Sequence, residues 1–142
     1  MIVTFCGHSQ VARTEEVQSW LRDVLELLTG EGADRFYLGG YGEFDRLAAR
    51  LLREAKKSRP QLTTTLVLPY LDSTMDRNGY DNTLYPPLEN VPRRFAIAKR
   101  NQWMMGQADV VVAYVVHSWG GAAQALRCAQ RQKKRVILFQ PA

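Results

Sequence analysis

The chain has 142 residues, enough for one hydrophobic core and too few for two, so a single domain spanning residues 1–142 is expected. Its 46% hydrophobic and 23% charged residues exclude a disordered or fibrous chain, and its longest apolar run, residues 110–116, is too short to cross a bilayer. The formal charge of +5 gathers at residues 56–59, 93–94, 99–100 and 131–135, and the first and last of these clusters suit closing helical turns without any nucleic-acid partner.

Residues 2–6 read as a strand, and Val17, Trp20, Leu21, Val24, Leu25 and Leu28 follow at amphipathic helical spacing. A second strand, residues 36–38, ends at Gly39-Gly40, and Phe44, Leu47, Ala48, Leu51 and Leu52 mark a second helix. A third strand over 63–68 opens onto a long polar loop that reaches Asn90, after which Asn90 and Pro92 signal a third helix running to about Gln107. Residues 109–116 suit a strand buried on both faces. A last helix begins near Gly120, and residues 136–139 form a closing strand. Strands alternating with helices predict an α/β Rossmann-like three-layer sandwich. Its mainly parallel five-stranded sheet, in the order 3-2-1-4-5, carries helices on both faces.

In such a sheet, ligands bind beyond the carboxyl ends of the strands. Gly7, His8 and Ser9 follow the first strand, and Gly39, Gly40, Tyr41 and Gly42 follow the second. The loop of residues 70–90 follows the third, and His117, Ser118, Trp119, Gly120 and Gly121 follow the fourth. Acids already occupy the starts of the first two helices, Glu15 and Glu16 in one and Glu43 and Asp45 in the other. The last helix begins without one, so a phosphate is expected at its exposed N–H groups. Arg94 and Arg100 supply planar forks for phosphate oxygens if the third helix turns them toward the pocket. Asp45 is placed to meet a ribose hydroxyl, and Tyr70, Tyr80, Tyr85 or Trp119 to stack on a base. His8 and His117, after strands that would be neighbours, can face each other, but two histidines without a further ligand make no metal site. No CxxC or Cys–His spacing surrounds Cys6 or Cys128, which are expected to be reduced and structural. With no signal-like segment after Met1, a cytoplasmic location is expected.

The run from Arg100 to Asp109, Arg-Asn-Gln-Trp-Met-Met-Gly-Gln-Ala-Asp, followed by Val-Val-Val-Ala and then Gly120-Gly121, resembles the second half of the SLOG (SMF/DprA-LOG) superfamily. Gly7 and the segment Gly39-Gly40-Tyr41-Gly42-Glu43-Phe44-Asp45 fall where that superfamily has its first two glycine-rich loops, so the resemblance covers nearly the whole chain. Within it, the chain is similar to the small YpsA-like (DUF1273) group. The resemblance implies a nucleotide-derivative ligand. In the LOG phosphoribohydrolases an arginine at the position of Arg100 and a glutamate after a PGGxGT motif serve cleavage. Here Ser118-Trp119 precedes Gly120-Gly121, and Gln124 falls at the position of that glutamate. A glutamine cannot transfer a proton as a carboxylate does.

The expected function is therefore a sensor or sequestering protein for a nucleotide-like small molecule, such as an ADP-ribose-like species, a cyclic nucleotide or a nucleoside phosphate, with no cofactor and no membrane partner. The alternative is a LOG-type phosphoribohydrolase, with catalytic residues unknown. Single-stranded DNA binding ranks last, since the basic residues form no stripe interleaved with aromatics. Trp103, Met104 and Met105 exceed what one amphipathic face needs, so a homo-oligomer, with dimerisation through the third helix, is also expected.

Overall fold

The computed structural model describes residues 1–141. Strand β1 (Ile2–Gly7) is followed by α1 (Thr14–Gly30), β2 (Arg35–Leu38), α2 (Gly42–Ser58) and β3 (Thr63–Val67). A short strand β4 (Asn82–Leu84) comes next, then a 3-10 turn (Arg93–Phe95) leading into α3 (Ala96–Gln107), β5 (Val110–Tyr114), α4 (Gly121–Arg131) and β6 (Arg135–Leu138). All pairings are parallel and the order is β4-β3-β2-β1-β5-β6.

The sheet thus has six strands where the sequence predicts five. The additional one, β4, extends the predicted order at its β3 edge without altering it. Asn82-Thr83-Leu84 is too short and polar to register as a strand by periodicity. It pairs through the backbone, Thr65 to Asn82 and Val67 to Leu84. Asp81 anchors it by accepting hydrogen bonds from the backbone N–H and the hydroxyl of Thr64 at 2.8 and 3.2 Å.

Side chains alternating along the central strands divide the core into two layers. Val3 and Phe5 of β1 and Val110, Val112 and Tyr114 of β5 meet α1 and α2 through Val17, Leu21, Phe44 and Leu47. Cys6, Val111 and Ala113 point the other way, onto Met104 and Met105 of α3 and Ala125 and Cys128 of α4. Both faces of β5 are therefore covered, as its unbroken apolar run requires. Met104 and Met105 are each 1% exposed, and Trp103 stacks on Tyr37 with centroids 5.9 Å apart. The surplus of large residues read as a pairing face on the third helix is taken up within this second layer.

Close approach fixes one glycine at the strand ends. A Cβ on Gly7 would lie 2.1 Å from the Phe44 ring, which is wholly buried beneath it. The missing side chain lets α2 settle against the end of β1 and brings its first turn to the mouth of the sheet. No helix of the described residues is long and apolar enough to cross a membrane.

Candidate functional site

A cleft of about 760 Å³ opens beyond the carboxyl ends of β1 and β5, facing the start of α4. That volume suits a small organic ligand. Of the residues singled out in the sequence, Gly7, His8, Ser9, Tyr41, Asp45, Arg100, His117, Trp119, Gly120 and Gly121 line it.

One wall is a column of three stacked rings. His8 and His117 lie 3.7 Å apart between centroids at 12°, and Trp119 stacks on the other face of His117 at 3.9 Å and 18°. The pairing of β1 with β5 sets the two histidines side by side, since each follows one of those strands. The Val116 N–H donates to His8 Nε2 at 2.9 Å, so the neutral ring carries its proton on Nδ1. Burial, and then the neighbouring His117, hold the His8 pKa below its ordinary value of 6.5. His117 Nδ1 is buried without a hydrogen-bond partner among the described residues. Trp119 closes the column with 67% of its surface exposed, an open aromatic face at the rim.

The loop after β1 is clasped to the sheet and to α2. The Tyr114 hydroxyl accepts from the Ala12 N–H at 3.2 Å, Ser9 O accepts from the Glu43 N–H at 2.9 Å, and Glu43 Oε2 accepts from the Val11 N–H at 3.2 Å. Gly42, at φ +85°, packs against the Ser9 backbone, where a Cβ would approach Ser9 Cα to 2.6 Å. It serves this clasp and does not line the cleft.

Asp45 lies at the floor, 7% exposed. Its Oδ2 accepts from the N–H groups of Gly39 and Gly40 at 3.1 and 3.0 Å, which is what these two glycines contribute. Burial raises its pKa to about 6, against the opposing pull of Arg100, the two amides and Arg46. The carboxyl therefore changes protonation close to neutral pH. Cys6 also lines the cleft, but burial, assisted by the Asp45 charge, pushes its thiol up to about 12 and leaves it unreactive at neutral pH.

Arg100 is 1% exposed and already committed to the protein. Its Nη1 donates to the carbonyls of Val67 at 2.8 Å and Gly39 at 3.1 Å, and its Nε donates to Asn101 Oδ1 at 2.9 Å. It ties the carboxyl ends of β2 and β3 together and holds a positive charge behind Asp45. Its guanidinium carbon also sits 5.5 Å from the Tyr41 ring centroid. The expected open fork toward a phosphate is not its geometry.

Directly after Trp119, α4 begins at Gly121 with Gly120 as its cap at φ +91°. No acid stands in its first turn, whereas Glu15 and Glu16 occupy that of α1 and Glu43 and Asp45 that of α2. The N–H groups at this positive dipole end are available to an anion.

Three other expected residues lie away from this cleft. Arg94, in the 3-10 turn that precedes α3, folds its guanidinium over Phe95 at 4.8 Å. Ser118 is exposed, its carbonyl accepting from Arg127 at 3.1 Å. Gln124 faces a small cavity of about 90 Å³ between α3 and α4. Asn101, Tyr114, Ile97 and Val116 line the main cleft without having been singled out in the sequence. Asn101 and Tyr114 stand beside marked features, the first next to Arg100 and the second closing the apolar run of β5. Among the described residues no group of three or more histidine, cysteine or acidic side chains is placed to hold a metal ion.

No protein-family model and no curated protein matches the sequence. Solved structures share the fold. TM1055, a structural-genomics target, superposes with a TM-score of 0.66 at 20% identity over 95% of this chain and 71% of its own. DNA processing protein A from Helicobacter pylori, described for its single-stranded DNA binding mode, gives 0.69 at 17% identity over 100% of this chain and 66% of its own. The molybdenum cofactor carrier protein from Chlamydomonas reinhardtii gives 0.63 at 20% identity over 96% of this chain and 75% of its own. At these identities the likeness shows the Rossmann-like fold that the sequence predicts.

Proposed function

We propose that this chain is a single SLOG domain, spanning residues 1–142, that binds a nucleotide-like, phosphate-bearing small molecule and acts as a sensor or sequestering protein. The observation that carries this reading is the meeting, in one cleft, of the His8–His117–Trp119 column and the acid-free start of α4 that follows it directly in the chain. The phosphate sits on the N–H groups at Gly120 and Gly121, and the base lies on the exposed face of Trp119. Asp45 accepts a hydrogen bond from a ribose hydroxyl, as carboxylates do in related sheets. Arg100 acts behind it, setting Asp45's charge and the strand ends.

Asp45 favours a second reading, hydrolysis of an N-glycosidic bond. A cleft carboxyl with a pKa of about 6 both takes and gives a proton near neutral pH, a capacity that Gln124 lacks. Single-stranded DNA, the ligand named for the Helicobacter pylori neighbour, is the third class.

One panel separates these readings. Nucleoside monophosphates, ADP-ribose, cyclic nucleotides and a short single-stranded oligonucleotide are added to the protein, and melting temperature and products are followed together. A rise with mononucleotides and no free base supports the binder, by mass action. Release of free base makes the protein an enzyme, and a rise with the oligonucleotide alone, collapsing with salt, makes it a DNA-binding domain.

A further inference from the structure

A second cleft, of about 670 Å³, lies on the far side of Tyr41, whose ring is a wall of both. Arg46 and Arg53 of α2 line it, two turns apart on one helix face with Ala49 between them. Arg53 is laid against the loop that follows β3: a Cβ at Gly79, which has φ +87°, would come within 2.7 Å of Arg53 Nη1. Tyr80 lines this cleft too, its hydroxyl within the electrostatic reach of Asp45 and Asp76 as well as of both arginines.

These arginines differ from most on the surface. Arg22 pairs with Glu54, Arg93 with Asp72 and Arg135 with Glu31, while Arg50 bonds Gln18. Neither Arg46 nor Arg53 makes an ion pair or a hydrogen bond among the described residues. Asp76 contributes the one carboxylate of this cleft, and its Oδ1 already accepts from the Asn78 N–H at 2.9 Å. Two guanidinium forks against one carboxylate leave the cleft net positive and rich in donors matched to phosphate oxygens.

We propose that Arg46 and Arg53 form a second anion subsite, so that the ligand of this protein carries two phosphate groups, one on each side of Tyr41. This rests on the reading of the main cleft as a phosphate site. The loop of residues 70–90 then has a binding role, supplying Gly79 and Tyr80 to the subsite in addition to strand β4.

The test uses the full chain in two arms. First, inorganic pyrophosphate is titrated while heteronuclear NMR follows the Nε–H signals of Arg46 and Arg53 and the amide signals of Gly120 and Gly121. Movement of both arginine signals is expected, and their silence at millimolar pyrophosphate overturns the subsite. The glycine signals report separately on the main cleft, so its failure is distinguishable from failure here. Second, calorimetry compares a nucleoside bisphosphate with the corresponding monophosphate, using wild type and the double variant Arg46→Gln, Arg53→Gln. Wild type is expected to favour the bisphosphate by about tenfold, and the variant to bind both alike with unchanged monophosphate affinity. The same preference in both proteins, or none in wild type, overturns the two-phosphate ligand.

Discussion

The imidazoles of His8 and His117 stack face to face with centroids 3.7 Å apart, although they follow strands at opposite ends of the sequence. Two cations at that distance would repel, and His8 Nε2 must stay unprotonated to accept from Val116. Because the folded protein holds the His8 pKa below 6.5, the unfolded chain binds more protons on acidification. Folding stability contributed by His8 is present above pH 6.5 and is lost as pH falls through its lower folded value. Urea denaturation in steps below pH 6.5 should show wild type losing stability relative to His8→Phe as pH falls. Equal slopes would remove His8 as the cause.

Asp45 acts in the opposite sense. Its pKa rises from 3.8 in the unfolded chain to about 6 in the folded protein. The stability contributed by Asp45 is therefore full below pH 3.8 and lost as pH rises through about 6, by about 2–3 kcal/mol in total. Asp45→Asn keeps an oxygen for the Gly39 and Gly40 amides but cannot ionise. Between pH 5 and pH 8 wild type should lose stability relative to this variant as pH rises. Parallel curves for the two proteins would mean that the carboxyl titrates elsewhere.

Arg100 should behave as a structural residue first. Arg100→Lys retains the charge but cannot reach Gly39 O, Val67 O and Asn101 together, and leaves buried carbonyls without a donor. Chemical denaturation should register a loss of about 3 kcal/mol. A loss below about 0.5 kcal/mol would show that water replaces the guanidinium at no cost.

How much of this was legible in the sequence depends on where the signal lay. The apolar run of β1 and the helical spacing in α1 and α2 expressed burial, which side-chain chemistry reports directly. His8 and His117 were placed as neighbours because adjacent parallel strands bring their trailing loops together. Strand β4 was hidden because Asn82, Thr83 and Leu84 join the sheet through backbone bonds, to which their side chains give no clue. The role of Arg100 was hidden for a related reason, since two of its acceptors are main-chain carbonyls. Arg94 shares Arg100's residue type but not its place in the Arg100–Asp109 run, and the 3-10 turn sets its guanidinium over Phe95.

Trp119 separates binding from folding. It is 67% exposed and stacks on one side only, against His117. Trp119→Ala should change unfolding free energy by less than about 0.5 kcal/mol while weakening nucleotide binding by about 1–3 kcal/mol. Calorimetry beside denaturation tests the pair of values. Unchanged affinity would mean that the base lies elsewhere.

The most direct measurement is heteronuclear NMR of the backbone amides during addition of a nucleoside monophosphate, compared with the same nucleoside lacking its phosphate. If the start of α4 captures the phosphate, the Gly120 and Gly121 amides shift strongly with the monophosphate and barely with the nucleoside. Saturable binding that leaves both amides unmoved would contradict phosphate capture at this helix and, with it, the assignment of the cleft.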